Sequence, residues 1–154
     1  MDNEIVTIYT DGSSLGNPGP GGFGIVMIFK GKRKEVSAGY RLTTNNRMEL
    51  KALIEALKLM KSTQFKIILY TDSKYVADAL NKGWLKNWIN KNFNKVKNSD
   101  LWKEFTQIHV SFNLEVKWVK GHAGNRENET CDRLAREAAL YPQYIDEAYE
   151  KNIG

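Results

Sequence analysis

The run Ile67-Ile68-Leu69-Tyr70 passes directly into Thr71-Asp72-Ser73 and then into a helical pattern (Tyr75, Val76, Ala79, Leu80). No other stretch constrains the chain as much. Four adjacent apolar residues predict a short strand buried on both faces, the mark of a central strand in a layered α/β fold. A strand that ends at an acid and turns into a helix places Asp72 where open α/β sheets gather their chemistry, just past a strand's carboxyl end. Aspartate is also a favoured helix N-cap, so Asp72 alone decides nothing. Where the other acids fall carries more weight.

The remaining pattern supplies partners for that strand. Residues 4–11 alternate, Val6, Ile8 and Thr10 against Ile5, Thr7 and Tyr9, and end at Asp11. Gly12 to Gly22 is dense in Gly and Pro and reads as a loop. Phe23–Phe29 and Val36–Leu42 read as second and third strands around the break at Gly31. Met48–Met60 carries a helical stripe of Leu50, Leu53, Ile54 and Leu57. Beyond the helix that starts at Ser73, Leu101, Phe105, Ile108 and Phe112 mark another. Leu114–Val119 is a fifth strand, and residues 127–140 form a last helix. The expected architecture is α/β: a five-stranded mixed sheet, three strands antiparallel and two parallel through right-handed crossovers, flanked by helices. With 154 residues the chain is expected to form one domain, with a core over about 4–140 and a peripheral or frayed tail over 141–154.

Composition removes some classes of chemistry. One cysteine, Cys131, permits no internal disulfide and disfavours a cysteine zinc site. No apolar run reaches membrane-spanning length, and no signal-like segment opens the chain, so a soluble cytoplasmic protein is expected. A net charge of +5 suits a polyanionic partner.

Four acids fall where the chain turns at one plausible end of the sheet: Asp11, Glu49, Asp72 and Asp132. Each has an ordinary alternative. Asp11-Gly12 is a turn dipeptide, Glu49 closes a capping box with Asn46, and Asp132 pairs with Arg136 one helical turn on. Together they are better explained by a cation, because clustered carboxylates repel one another unless one neutralises them. All-oxygen ligands suit hard ions such as Mg²⁺, and two ions roughly 4 Å apart form the phosphodiester-cleaving arrangement. His122 lies in a Gly-Ala-Gly loop and titrates near neutrality, which suits proton transfer. His109, inside a helical pattern, reads as structural.

Several motifs carry a resemblance. Tyr9-Thr10-Asp11-Gly12-Ser13 with Gly16-Asn17-Pro18-Gly19, Thr43-Thr44-Asn45-Asn46-Arg47-Met48-Glu49, Thr71-Asp72-Ser73, Trp118-Val119-Lys120-Gly121-His122-Ala123-Gly124 and Asn128-Glu129-Thr130-Cys131-Asp132 resemble ribonuclease H of type 1, the bacterial HI family, in register over about 4–140. The resemblance implies a ribonuclease H-like fold and an endonuclease that cuts the RNA strand of RNA/DNA hybrids, leaving 5′-phosphate and 3′-hydroxyl ends. It implies that Asp11, Glu49, Asp72 and Asp132 bind two Mg²⁺ ions, with Mn²⁺ a possible substitute, and that His122 assists proton transfer or product release. Gly12, Asn17, Asn45, Asn46 and Lys74 match groove positions, and Glu49 also touches the 2′-hydroxyl beside the cut. Thr44 and Asn98 match a phosphate pocket for the DNA strand. The acid-free segment Asn81–Lys97 has five lysines (Lys82, Lys86, Lys91, Lys95 and Lys97) and places Trp84, Lys86 and Trp88 where the family carries a basic handle. Trp84 and Trp88, four residues apart, are expected to share one face; packing into the core is the alternative for both.

The chain departs from the family pattern at four places. The handle is shorter, Leu42 stands where the pocket usually has an arginine, Lys74 replaces a glutamine, and Asn125-Arg126 replaces His-Pro. Arg41, one place before Leu42, would face the other side of its strand. No N-terminal hybrid-binding module precedes the motifs, so low processivity is expected; a monomer without an obligate protein partner is a separate expectation. Two other readings stay open: another nuclease of the same superfamily, transposase-like or exonuclease, and a hybrid-binding module with a defunct site.

Overall fold

The computed structural model describes residues 4–121 and 124–153. Its elements are β1 (Ile5–Ser14), β2 (Gly19–Phe29), β3 (Lys32–Thr43), α1 (Asn45–Lys58), β4 (Lys66–Thr71), α2 (Lys74–Asn81), α3 (Trp84–Asn90), α4 (Ser99–His109), β5 (Asn113–Trp118), α5 (Arg126–Leu140) and α6 (Glu147–Ile153). The five strands lie in the order β3-β2-β1-β4-β5. β1–β2 and β2–β3 are antiparallel, whereas β1–β4 and β4–β5 are parallel. The parallel register pairs Thr10 with Thr71, so β1 and β4 deliver Asp11 and Asp72 side by side at one end of the sheet.

One face of the sheet carries the main core. Val6, Ile8, Ile25, Ile67 and Leu69 meet Leu50, Leu53, Ile54 and Leu57 of α1 and Trp102 and Phe105 of α4, all buried. On the other face, α5 packs on β1, β2 and β3. Contact is close because Gly22, Gly24 and Gly39 present no side chain there. A Cβ on Gly22 would come within 2.6 Å of the Ala135 carbonyl, and one on Gly24 or Gly39 would overlap the Cys131 or Ala138 carbonyl.

The glycine-rich stretch expected as a loop over 12–22 is therefore mostly strand. Gly12 pairs with Phe23, Ser13 with Gly22 and Ser14 with Gly21, and only residues 15–18 turn. β4 also differs from expectation. Ile67, Leu69 and Thr71 are buried, but Ile68 and Tyr70 are only partly covered, because α5 does not extend across β4. Tyr70 stacks instead on Tyr9, with ring centroids 5.0 Å apart.

The tail over 141–153 is anchored rather than frayed. Tyr144 donates to the Gly39 carbonyl at 3.0 Å and accepts from the Arg41 amide at 3.0 Å, continuing the edge of β3. Beyond it, Asp146 is buried and receives Arg47 Nε at 2.7 Å, Arg47 Nη2 at 2.9 Å and the Thr43 hydroxyl at 2.7 Å. Arg47 also holds Asp100 through two bonds of 2.9 and 2.7 Å. This network ties α1, α4 and the tail together. Among the described residues no helix is long and apolar enough to cross a membrane.

Candidate active site

Asp11, Glu49 and Asp72 converge. Each offers a carboxylate oxygen, and these oxygens all lie within 4.8 Å of one another. Three elements supply them: β1 just past its pairing with β4, the second turn of α1 and the residue after β4. Glu49 is not the acid of a capping box. The cap of α1 is Thr44, whose hydroxyl accepts from the Arg47 amide at 3.2 Å, so the helix starts at Asn45 and Glu49 falls past the capping turn. The neighbouring glycine lets the strand reach the helix: a Cβ on Gly12 would overlap the backbone of Met48 and Glu49.

Among the described residues no cation pairs with Asp11 or Glu49. Burial, followed by the charges of Asp72 and Asp132, pushes the Asp11 carboxyl up to about 8, although the Gly12 amide donates to its Oδ1 at 3.0 Å. Burial and the charges of Asp11 and Asp72 likewise hold Glu49 well above the carboxylate range. Glu49 Oε1 is closed off from solvent and has no hydrogen-bond partner among the described residues. A buried acceptor without a donor is costly. Three oxygens facing a common point fit a hard divalent cation.

Asp132 lies outside that set of three. It stands in the second turn of α5, near enough for its charge to act on Asp11, but its Oδ2 accepts from Arg136 at 3.1 and 3.0 Å. His122 falls outside the described residues. Gly121 before it approaches Asp72 so closely that a Cβ there would sit 2.7 Å from Asp72 Oδ2.

A second locus adjoins the first. A cavity of about 570 Å³ is lined by Asn17, Thr44, Asn46, Lys97, Asn98 and Tyr149. It lies at the N-termini of α1 and α4, where the helix dipoles favour an anion. Asn17 and Asn45 hold the β1–β2 turn to α1. Asn17 Oδ1 accepts from the Asn45 amide at 3.1 Å, and Asn45 Oδ1 accepts from the Ser14 amide at 2.7 Å. Asn98 uses both ends of its amide inside the protein, accepting from Arg47 at 3.3 Å and donating to the Tyr75 hydroxyl at 3.0 Å. Arg41 is elsewhere, paired with Glu150 at 2.8 Å.

The basic segment is short and folded back on the core. α3 buries Leu85, and Trp88 packs against Trp102 at 5.2 Å between centroids, whereas Trp84 is 41% exposed. Leu85 and Trp88, three residues apart, make the inward stripe, and Trp84 lies toward solvent beside it. Lys86, Lys91, Lys95 and Lys97 are exposed. Lys74, at the start of α2, lies over the Trp118 ring, 5.0 Å from its centroid.

Residues 3–140 match the family model described as RNase H. The chain belongs to the ribonuclease H family. It is 54% identical over 131 residues to ribonuclease HI of Helicobacter pylori, strain ATCC 700392 / 26695, covering 85% of this chain and 90% of that protein. Among solved structures it is similar to LC9-RNase H1, a type 1 RNase H with the type 2 active-site motif: TM-score 0.83 and 33% identity, over 93% of this chain and 75% of that one. It is also similar to LC11-RNase H1 in complex with RNA/DNA hybrid, with TM-score 0.62 and 26% identity, over 94% and 99% of the two chains. As a ribonuclease H, the chain has a site with features that its motifs alone did not reveal. Lys97 and Tyr149 join the cavity. Lys97 was visible only as one of several lysines, and nothing in the sequence marks Tyr149 as a neighbour of Asn17. Trp118 was visible as one residue of an alternating strand, with no sign that it touches Asp72.

Proposed function

We propose that this ribonuclease H hydrolyses the RNA strand of RNA/DNA hybrids at the Asp11–Glu49–Asp72 cluster, with two Mg²⁺ ions that Mn²⁺ can replace. The observation that carries this reading is the convergence of three carboxylates with Asp11 raised to about 8 and Glu49 Oε1 unpartnered. Those three residues would hold the metal, with Asp132 as a further ligand once released from Arg136. When bound, the divalent ions supply the Lewis acidity that activates water and stabilises the departing 3′ oxygen. The products are 5′-phosphate and 3′-hydroxyl ends.

The chain's own residues do the rest. β1, β4 and α1 hold the acids in place before substrate arrives. His122 carries a proton at the leaving oxygen. Gly12 leaves the groove floor bare, while the amides of Asn17, Asn45 and Asn46 read the 2′-hydroxyls and sugar edges. The cavity between the starts of α1 and α4 takes a phosphate of the DNA strand. Lys97 provides the cation there that Leu42 cannot, and Thr44 and Asn98 shape the walls. Trp84 and Lys86 extend the contact along the hybrid, and Trp88 supports them from the core. The enzyme acts as a monomer in the cytoplasm, without an obligate protein partner.

The test is a labelled RNA/DNA hybrid beside single-stranded RNA and double-stranded DNA, each with Mg²⁺ and with EDTA. Cleavage of RNA in the hybrid alone, and only with metal, is expected. Cleavage in EDTA, or of all three substrates alike, would overturn the reading.

A further inference from the structure

Trp118 ends β5 beside the acids and remains 43% exposed. Its polar edge is engaged. The indole Nε1 donates to the Asp72 backbone carbonyl at 3.0 Å. Strand pairing sets this up, since Trp118 is in register with Thr71 and the Val119 amide donates to the Thr71 carbonyl at 2.9 Å. The ring's face carries the ammonium of Lys74, two residues past Asp72. Lys74 is exposed and forms no ion pair among the described residues. One indole thus holds the backbone of a cluster acid by its edge and a cation by its face. A lysine in water samples many rotamers; one laid on an indole is confined near the ring.

We infer that Trp118 is a positioning residue that sets the reach of Asp72 into the acid cluster, and that it holds Lys74 where its ammonium binds a hybrid backbone phosphate next to the one being cut. This rests on the ribonuclease H reading above. The two halves separate by substitution. Trp118→Phe keeps a ring beneath Lys74 but removes the N–H to Asp72. Lys74→Gln keeps the N–H and removes the charge.

Two measurements read them. Fluorescence anisotropy of a labelled hybrid in EDTA, across a salt series, reports binding without turnover. The shift in Tm produced by Mg²⁺ reports the metal site without substrate. Lys74→Gln is expected to weaken hybrid binding about threefold to tenfold at low salt and to reduce the salt slope by about one counterion. Its Mg²⁺-induced Tm shift should match that of the wild type. Trp118→Phe is expected to shrink the Mg²⁺-induced Tm shift while keeping the wild-type salt slope. The double substitution should show both losses.

The inference is overturned if Lys74→Gln leaves affinity and salt slope unmoved. It is equally overturned if Trp118→Phe, folded by circular dichroism, responds to Mg²⁺ as the wild type does. Wild-type cleavage of the hybrid in the same buffers keeps the two levels apart. If the wild type cuts and the variants do not differ from it, only this inference fails; if the wild type does not cut, the reading beneath it fails as well.

Discussion

Arg47 and Glu49 stand two residues apart on α1, yet they serve groups of buried charge built in opposite ways. Around Arg47 the protein supplies both signs: a 3% exposed guanidinium holds Asp146 and Asp100 through bonds of 2.7 to 2.9 Å. Burial pushes the Asp100 carboxyl up, but the hydrogen bonds and charge of Arg47 outweigh it and hold it below the usual range. Around Glu49 the described residues supply only acids, and burial there pushes Asp11 up to about 8. One helix therefore carries a completed charge network and an incomplete one. Where the role is to fasten the tail and α4 to α1, the cation is part of the chain. Where the role is chemistry, the place of the cation is left to a metal ion.

Removing a charge should have opposite consequences in the two regions. Asp11→Asn should lower hybrid cleavage by at least about 10³-fold, measured at saturating Mg²⁺, because on the proposed function it removes a metal ligand that acts on the transition state. Arg47→Met should cost about 3–5 kcal/mol in urea unfolding, because two acids lose their counter-charge. A cost below about 1 kcal/mol would show that the two regions are not opposites.

Their pH responses should differ as well. In the metal-free protein Asp11 titrates at about 8 when folded and at roughly 3.9 when unfolded, so the folded state binds a proton the unfolded state lacks between those values. Stability in EDTA should then fall as pH rises from about 4 to about 8, and Mg²⁺ should flatten that slope. Asp100 has the reverse sign, since its folded carboxyl is depressed. Its contribution is present above roughly pH 4 and is lost on further acidification. Thermal melts across pH, with and without Mg²⁺, distinguish the two.

The smallest expected effect concerns the contact between the regions. Gly12→Ala should destabilise by about 1–3 kcal/mol, since its methyl overlaps the α1 backbone at Met48 and Glu49, and cleavage should fall with it. Unchanged stability would mean that the strand and helix can separate without cost.

The mixed five-stranded sheet and three of the four acids that converge were legible because they rest on local signals: period-two alternation along β1, the apolar run of β4, and an acid where each of those patterns breaks off. Legibility ended where a contact joins distant parts of the chain. Asp146 bonds to Arg47 across 99 residues, and no pattern near either residue announces it, so the tail read as frayed. Gly22 looked like a loop residue and Gly24 and Gly39 like ordinary strand positions, although their missing side chains serve the approach of α5. The start of α1 moved because three polar residues in a row, Thr44, Asn45 and Asn46, are all plausible caps, and only packing selects Thr44. The pairing of Asp132 with Arg136 was foreseen as an alternative and is present, while its part in metal binding rests on the proposed function.

The most direct test is the melting temperature of the wild type and of Asp11→Asn at pH 8, each in EDTA and in Mg²⁺. The wild type should melt below the variant in EDTA, because it carries mutually repelling carboxylates, and Mg²⁺ should raise the wild type far more than the variant. If the wild type is the more stable protein in EDTA, or if Mg²⁺ leaves its melting temperature unmoved, the acids are not held apart by charge awaiting a cation and the account is contradicted.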